Sequence, residues 1–291
     1  MCRMFGFRSV LDSHVHRSLL GAENALALQA EHHPDGWGVA YYLGGAPHLL
    51  RSAGTARDDA LFRQVSSIVS SQTVLAHIRK ATRGKISPLN CHPFQFGRWV
   101  MAHNGDVPEF DRVRPLITER IAPRFRRHLL GDTDSETIFH LFLTHLAARV
   151  DVTRRGTPVD QVTAALRQTV ADVRADTAQI TAEPALLTLV VTDGELMVAH
   201  QGGKTLYFST WKQRCSEREG CPFLSKECES PTEAGYVNHL ILSSEPLGGE
   251  NVWTAMEPGE LVSVDAFMKF ARSGAPPLVP GAPPIRTSAC G

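Results

Sequence analysis

The chain has 291 residues, 43% hydrophobic and 21% charged, which supplies a sizeable core in one large domain or two modest ones. Thirty basic residues balance thirty acidic ones, so no net field favours nucleic acid or a membrane as partner. No run reaches the ~20 apolar residues of a spanning helix, no secretory signal opens the chain, and the cysteines do not form a disulfide framework; the reading is a soluble, cytoplasmic protein.

MCRMFGF places Cys2 directly behind the initiator methionine. Removal of Met1 would leave Cys2 with a thiol and a free α-amine, a nucleophile and a base on one residue; the alternative is an incidental near-terminal cysteine. SHVHRSLLGAENALALQAEH predicts a helix capped by Ser13, with Val15, Leu19, Leu26 and Ala30 on one stripe. HHPDGWG is a breaker-rich loop around Asp35 and Gly36, and its glycines permit close backbone approach to a ligand. VAYYLGGAPHLL predicts a hairpin turning at Gly44-Gly45. TVLAHIRKAT and RWVMAHNGD predict short strands that run straight into polar residues, a common way to present side chains at a sheet's rim. The basic run from Arg112 to His128 reads as a solvated helix face.

GDTDSETIFHLFLTHLAARV is the clearest helix. Thr133 and Glu136 have capping-box spacing, and Phe139, Phe142, Leu143 and Leu146 form one apolar stripe. A second helix follows Thr157-Pro158 and carries Val159, Val162, Leu166, Val170 and Val173. ALLTLVVTDGELMVAHQ predicts a strand pair around Asp193-Gly194, and YVNHLILSS and GELVSVD predict later strands. Residues 2–270 read as one domain, and 271–291 as a Pro/Gly-rich extended tail. Strands, then helices, then strands point to an α+β fold of two packed sheets flanked by helices.

Several side chains in these segments could carry chemistry. Only ~3% of an ordinary cysteine thiol is ionised at pH 7, whereas an α-amine with a pKa of about 7.7–8.0 can accept its proton there. Arg79, at a strand end, could form a planar two-pronged pair with a carboxylate, and Thr82 could add a hydroxyl; the alternative is a rim arginine paired with a surface acid. Asn104 and Gly105, placed just after a strand, could offer two donors to an oxyanion, or could be a plain turn. Asp134 sits in the first turn of the strongest helix, where the dipole alone favours a carboxylate; the functional alternative is that it receives an ammonium. Cys215, Cys221 and Cys228 lie six and seven residues apart, which does not match a C-x₂₋₄-C zinc site, and none of the thirteen histidines falls in H-E-x-x-H. No metal or cofactor is expected. His77 and His103 read as structural, or as the hydrogen-bonded surroundings of a site.

MCRMFGF, HPDGWGVAYY, AHIRKATRG, MAHNGD and TDSE, in that order, resemble the class II glutamine amidotransferases, members of the N-terminal nucleophile hydrolase superfamily. The resemblance spans residues 2–145 through these motifs and continues through SSEPL, and it is nearest to short single-domain members, some of which hydrolyse γ-glutamyl compounds. It implies a four-layer αββα sandwich. It also implies Cys2 as nucleophile with its own α-amine as base, and Asn104 and Gly105 as oxyanion donors. Arg79 and Thr82 would bind the substrate α-carboxylate and Asp134 its α-ammonium, with the Asp35–Gly36 loop closing over the γ-glutamyl group. Larger members commonly carry Arg-Gly in that loop, where this chain has His-His-Pro-Asp-Gly. The implied partner is a small-molecule glutamine or γ-glutamyl substrate. Alternatives are a subunit that delivers ammonia to a separate synthetase, with a homo-oligomer as a further partner, and a non-catalytic γ-glutamyl binding protein.

Overall fold

The computed structural model describes residues 2–14, 17–22, 24–82, 84–215, 218–233 and 235–274. Its strands are β1 (Arg3–His14), β2 (Trp37–Leu43), β3 (Ala46–Ser52), β4 (Ser70–Ile78), β5 (Phe94–Phe96), β6 (Trp99–Asp106), β7 (Leu186–Thr192), β8 (Met197–His200), β9 (Tyr207–Ser209), β10 (His239–Ser243), β11 (Thr254–Ala255), β12 (Leu261–Val264) and β13 (Phe270–Ser273). The α-helices are α1 (Leu26–Gln29), α2 (Ala60–Ile68), α3 (Phe110–Arg120), α4 (Pro123–Arg126), α5 (Asp134–Ala147) and α6 (Val159–Ala178). Among the described residues the strands form two antiparallel sheets, ordered β11-β9-β10-β1-β4-β2-β3 and β13-β12-β8-β7-β6-β5.

The central strands of both sheets are buried on both faces, and their period of two deals alternate residues to different layers. Met4 points between the sheets, where it joins Val100, Ala102, Val190 and Met197. Its neighbour Phe5 faces outward with Trp37, Val39 and Ile78 against Leu26 of α1 and Phe62 and Val65 of α2. On the second sheet, Trp99, Met101, Leu189 and Val191 face outward against α3, α5 and α6, through Phe110, Phe142 and Leu166 among others. Three apolar interfaces therefore separate four layers, and the fold is the expected αββα sandwich.

The predicted stripe of α5 is fully buried at Phe139, Phe142, Leu143 and Leu146. Thr133 caps this helix, its Oγ1 accepting from Glu136 N at 3.3 Å, but Glu136 does not reach back to Thr133. Its carboxylate accepts from Leu130 N at 3.0 Å and Gly131 N at 2.7 Å. The Gly44-Gly45 turn forms with both glycines at positive φ, 58° and 79°. The basic run lies on α3, α4 and the residues after them.

One expectation is overturned. Ser13 caps no helix; β1 continues to His14, with Ser13 paired to Ser71 across a register shift after Arg8. A bulge reconnects the strand to β4, and the ladder it regains outweighs the local helical pattern. Leu19, Leu26 and Ala30 of the predicted stripe are buried in a π turn, the short α1 and a 3₁₀ turn, while Val15 lies outside the described residues. β13 carries the second sheet past residue 270, and residues 275–291 of the predicted tail lie outside the described residues. Among the described residues no helix is long and apolar enough to cross a membrane.

Candidate functional site

Strand register collects the candidate residues at one rim of the sandwich. Arg3 and Trp37 both pair with Ile78, and Phe5 and Tyr207 both pair with Ser243, so β1 and β2 begin where β4 and β10 end. Cys2, Arg79 and Ser244 thus stand side by side. From the second sheet, β6 delivers Asn104, Gly105 and Asp106 to the same rim. A cleft of about 270 Å³ opens there, lined by Cys2, Thr82, Asn104, Gly105, Ser244 and Glu245 among others.

Cys2 is fixed on three sides. Lys80 N donates to its Sγ at 3.2 Å, and the thiol lies 3.4 Å from Lys80 O. Its carbonyl accepts from Asn104 Nδ2 at 3.1 Å, and the start of β1 is tied down by Met4 N donating to Ser244 Oγ at 3.0 Å. Burial pushes the Cys2 thiol above its ordinary value, against the smaller opposing pull of the Lys80 N–H; Arg79 lowers it and Asp134 raises it, so both charges are felt at the sulfur. At neutral pH this thiol is protonated, and attack by it needs a base.

Asn104 is buried, and its amide orientation is set by its neighbours. Nδ2 donates to Cys2 O and, at 2.9 Å, to Ser244 Oγ, while Oδ1 lies 3.2 Å from His77 Nε2. An amide oxygen only accepts, so His77 carries its proton on Nε2. Burial holds His77 neutral by lowering its pKa to about 3, and the ring packs on His92 at 4.2 Å between centroids. Asn104 and Gly105 were expected to follow the strand; they lie within it, paired with Thr188 and Leu187 of β7. Only glycine fits at 105, since a Cβ there would sit 1.7 Å from Leu186 O and 2.4 Å from His103 Nε2. His103 has a supporting position, with Nε2–H donating to Leu186 O and Nδ1 2.9 Å from Ser135 Oγ, which joins β6 to α5.

Thr82 is on the lining, whereas Arg79, Asp35, Gly36 and Asp134 stand beside the cleft. Arg79 is buried, and its guanidinium donates to Lys85 O at 3.0 Å and Gly84 O at 3.4 Å. Asp35 and Gly36 hold it from behind. Arg79 N donates to Gly36 O at 2.7 Å, Asp35 N donates to Arg79 O at 3.2 Å, and Asp35 Oδ2 accepts from Ala81 N at 2.8 Å. Gly36 has φ of 129°, and a Cβ there would lie 2.4 Å from Cys91 Sγ. Asp134 accepts from Val107 N at 3.0 Å and Ser135 N at 2.7 Å, which fixes its carboxylate at the start of α5.

Sequence reasoning passed over Ser244, Asn90, Lys204 and Tyr207. Asn90 Nδ2 donates to Lys85 O at 3.0 Å, fastening the carbonyl that Arg79 also holds. Cys215, Cys221 and Cys228 are free thiols that line a separate cavity of about 560 Å³ at the opposite end of β1, beside Ser13 and His14.

The family model described as class-II glutamine amidotransferases matches residues 1–272. A relative described as "Probable glutamine amidotransferase DUG3", from Saccharomyces cerevisiae, is 30% identical over 179 residues, 56% of this chain and 50% of that protein, so the match spans half of that relative's length. The γ-glutamyl-hercynylcysteine sulfoxide hydrolase of Mycobacterium tuberculosis is 40% identical over 74 residues, 25% of this chain and 32% of that one. The structure of a glutamine aminotransferase class-II domain protein from Silicibacter pomeroyi superposes with a TM-score of 0.63 at 21% identity, covering 93% of this chain and 98% of that one.

Proposed function

The chain belongs to the class-II glutamine amidotransferase family, and from that premise we propose that it is an amidohydrolase that cleaves the γ-amide of glutamine or of a γ-glutamyl compound through a Cys2 thioester. The carrying observation is that Cys2, Asn104 and Gly105, from two different sheets, line one cleft, with the Asn104 amide bonded to the carbonyl of Cys2 itself. The short stretch shared with a γ-glutamyl hydrolase supports the substrate class.

In this reading Met1 is removed and the exposed Cys2 α-amine takes the thiol proton, which burial otherwise holds on sulfur. The sulfur attacks the γ-carbonyl carbon, and the resulting oxyanion is stabilised by Asn104 Nδ2 and Gly105 N–H. Both Asn104 amide hydrogens are engaged in the structure, so binding the oxyanion exchanges one of those bonds for a stronger, charge-assisted one. Collapse breaks the C–N bond, and the amine leaves with the proton held by the α-amine. Water then adds to the thioester and releases glutamate and the thiol. Arg79 and Thr82 would read the α-carboxylate and Asp134 the α-ammonium. The Asp35–Gly36 loop would act as the brace of Arg79, and closure of that loop over the glutamyl group is part of the same proposal.

Intact mass before and after treatment with a glutamine-like electrophile, alongside assay of γ-glutamyl amides, tests the reading. The expected result is a protein lacking Met1, labelled once, with labelling and turnover both abolished in Cys2→Ala. Full turnover by protein that retains Met1 would sink the mechanism. Activity that appears only when a synthetase is added would favour the ammonia-delivering subunit instead.

A further inference from the structure

The cleft extends past Cys2 in a direction that the glutamyl-reading residues do not occupy. β4, which ends at Arg79, flanks β1 on one side, and β10 and then β9 flank it on the other. On that second side the lining consists of Arg3, Glu245, Tyr207, Thr205 and Lys204. If the glutamyl α-carboxylate is read beside β4, whatever is attached to the γ-nitrogen lies over β10 and β9.

The charges on this side are unequal. Arg3 and Glu245 form an ion pair with each other. Asp106, the other acid on the lining, has a partner of its own. Lys204 is half-buried, and no acceptor holds its ammonium among the described residues, although its backbone is fixed: Lys204 N donates to Thr188 Oγ1, which in turn donates to Lys204 O, both at 2.9 Å. The Tyr207 hydroxyl is likewise without a hydrogen-bond partner among the described residues. An unpaired ammonium on a rigid backbone, sharing the cleft wall with Thr205 and Tyr207 and with its neighbouring charges already paired, is well matched to one singly charged planar anion.

We propose that Lys204, with Tyr207 and Thr205, is a specificity determinant for the leaving group, and that the preferred substrates are γ-glutamyl amides of amines that carry a carboxylate, such as amino acids or short peptides, rather than glutamine. This rests on the amidohydrolase reading above and narrows its substrate class. Lys204 touches the departing amine's carboxylate and takes no part in bond making.

The test compares kcat/KM for γ-glutamylglycine, whose leaving amine is anionic, with that for γ-glutamyl methylamide, whose leaving amine carries no carboxylate. A hydrogen bond to a charged group is worth ~1.5–3 kcal/mol, so the wild-type ratio should favour γ-glutamylglycine by about ten- to a hundredfold. Lys204→Gln should collapse that ratio towards one, and Lys204→Arg should retain most of it. A ratio that Lys204→Gln leaves in place, or equal losses on both substrates, overturns the inference; equal losses would mean that Lys204 reads the glutamyl unit. In a Cys2→Ala background, calorimetry should show the same selective loss of γ-glutamylglycine affinity on Lys204→Gln. Turnover of the methylamide and of glutamine without anionic preference refutes only this inference, whereas no turnover of any γ-glutamyl amide refutes the amidohydrolase reading along with it.

Discussion

Asn104 is the side chain on which most of the site's geometry converges, since one amide joins Cys2 O, Ser244 Oγ and His77 Nε2. Removing an oxyanion donor typically lowers turnover by about 10²–10³. Asn104→Ala should therefore reduce kcat by that factor, as read in steady-state assays of a γ-glutamyl amide. Ser244→Ala removes the shared hydroxyl while leaving the amide, and should cost less than tenfold; a loss as large as that of Asn104→Ala would make the amide a positioning group only. Arg79→Ala should act mainly on KM. The residues that gather at this rim could be singled out beforehand because Cys2, Asn104 and Asp134 sit in short motifs whose order is informative. His77 was open to either role until its Nε2 was seen against Asn104 Oδ1. Lys204 and Tyr207 carried no signal, because nothing in GGKTLYF says that the loop after β8 returns to the rim where β1 begins.

Two positions show how secondary structure elements hold this rim. Thr133 caps α5, the helix that aims Asp134, and loss of such a cap typically costs about 1 kcal/mol. Gly105 allows β6 and β7 to close on Leu186 O, and a methyl group there must push the strands apart. Overpacking of this kind costs about 1–3 kcal/mol or more. Calorimetric melting should thus show a small drop in Tm for Thr133→Ala, a few degrees at most, and a larger one for Gly105→Ala. Equal Tm values for Gly105→Ala and wild type would mean that the strands relax freely. The same physics sorts what could be read in advance. α5 and α6 announced themselves through long stripes and clear starts. α2 is amphipathic but only nine residues long, with its cap at Asp59, too short for its pattern to stand out, and α3 carries Pro115 inside an arginine-rich face. At the end of β1 the local pattern favoured helix, and pairing of Ser13 with Ser71 across a bulge decided otherwise.

Three apolar interfaces in one fold leave little room for charge, and histidine is where that constraint meets pH. His77 and His92 lie beneath the site, His140 is buried on α5, and His239 stands at the far end of β10. Burial lowers the pKa of all four, to about 3 for His77 and about 4 for His140 and His239. In the unfolded chain each would take a proton near pH 6.5, so between that value and the folded pKa the unfolded state binds more protons. Stability from these groups is complete above pH 6.5 and is lost as pH falls towards 4. Asp193 acts in the opposite sense, because burial raises its pKa and acid relieves the cost of its charge, but it stands against these four histidines and against His145 and His200, whose pKa burial also lowers. Each histidine contributes a slope of up to about 1.4 kcal/mol per pH unit. Urea unfolding followed from pH 7.5 to pH 5 should show a midpoint that is steady at first and then falls steeply below pH 6.5. His140→Gln, distant from Cys2, should reduce proton uptake on unfolding at pH 5 by about one. A midpoint that stays flat to pH 5 would show that these rings are solvated in the native state, and the neutral His77 that orients Asn104 would lose its physical basis with them.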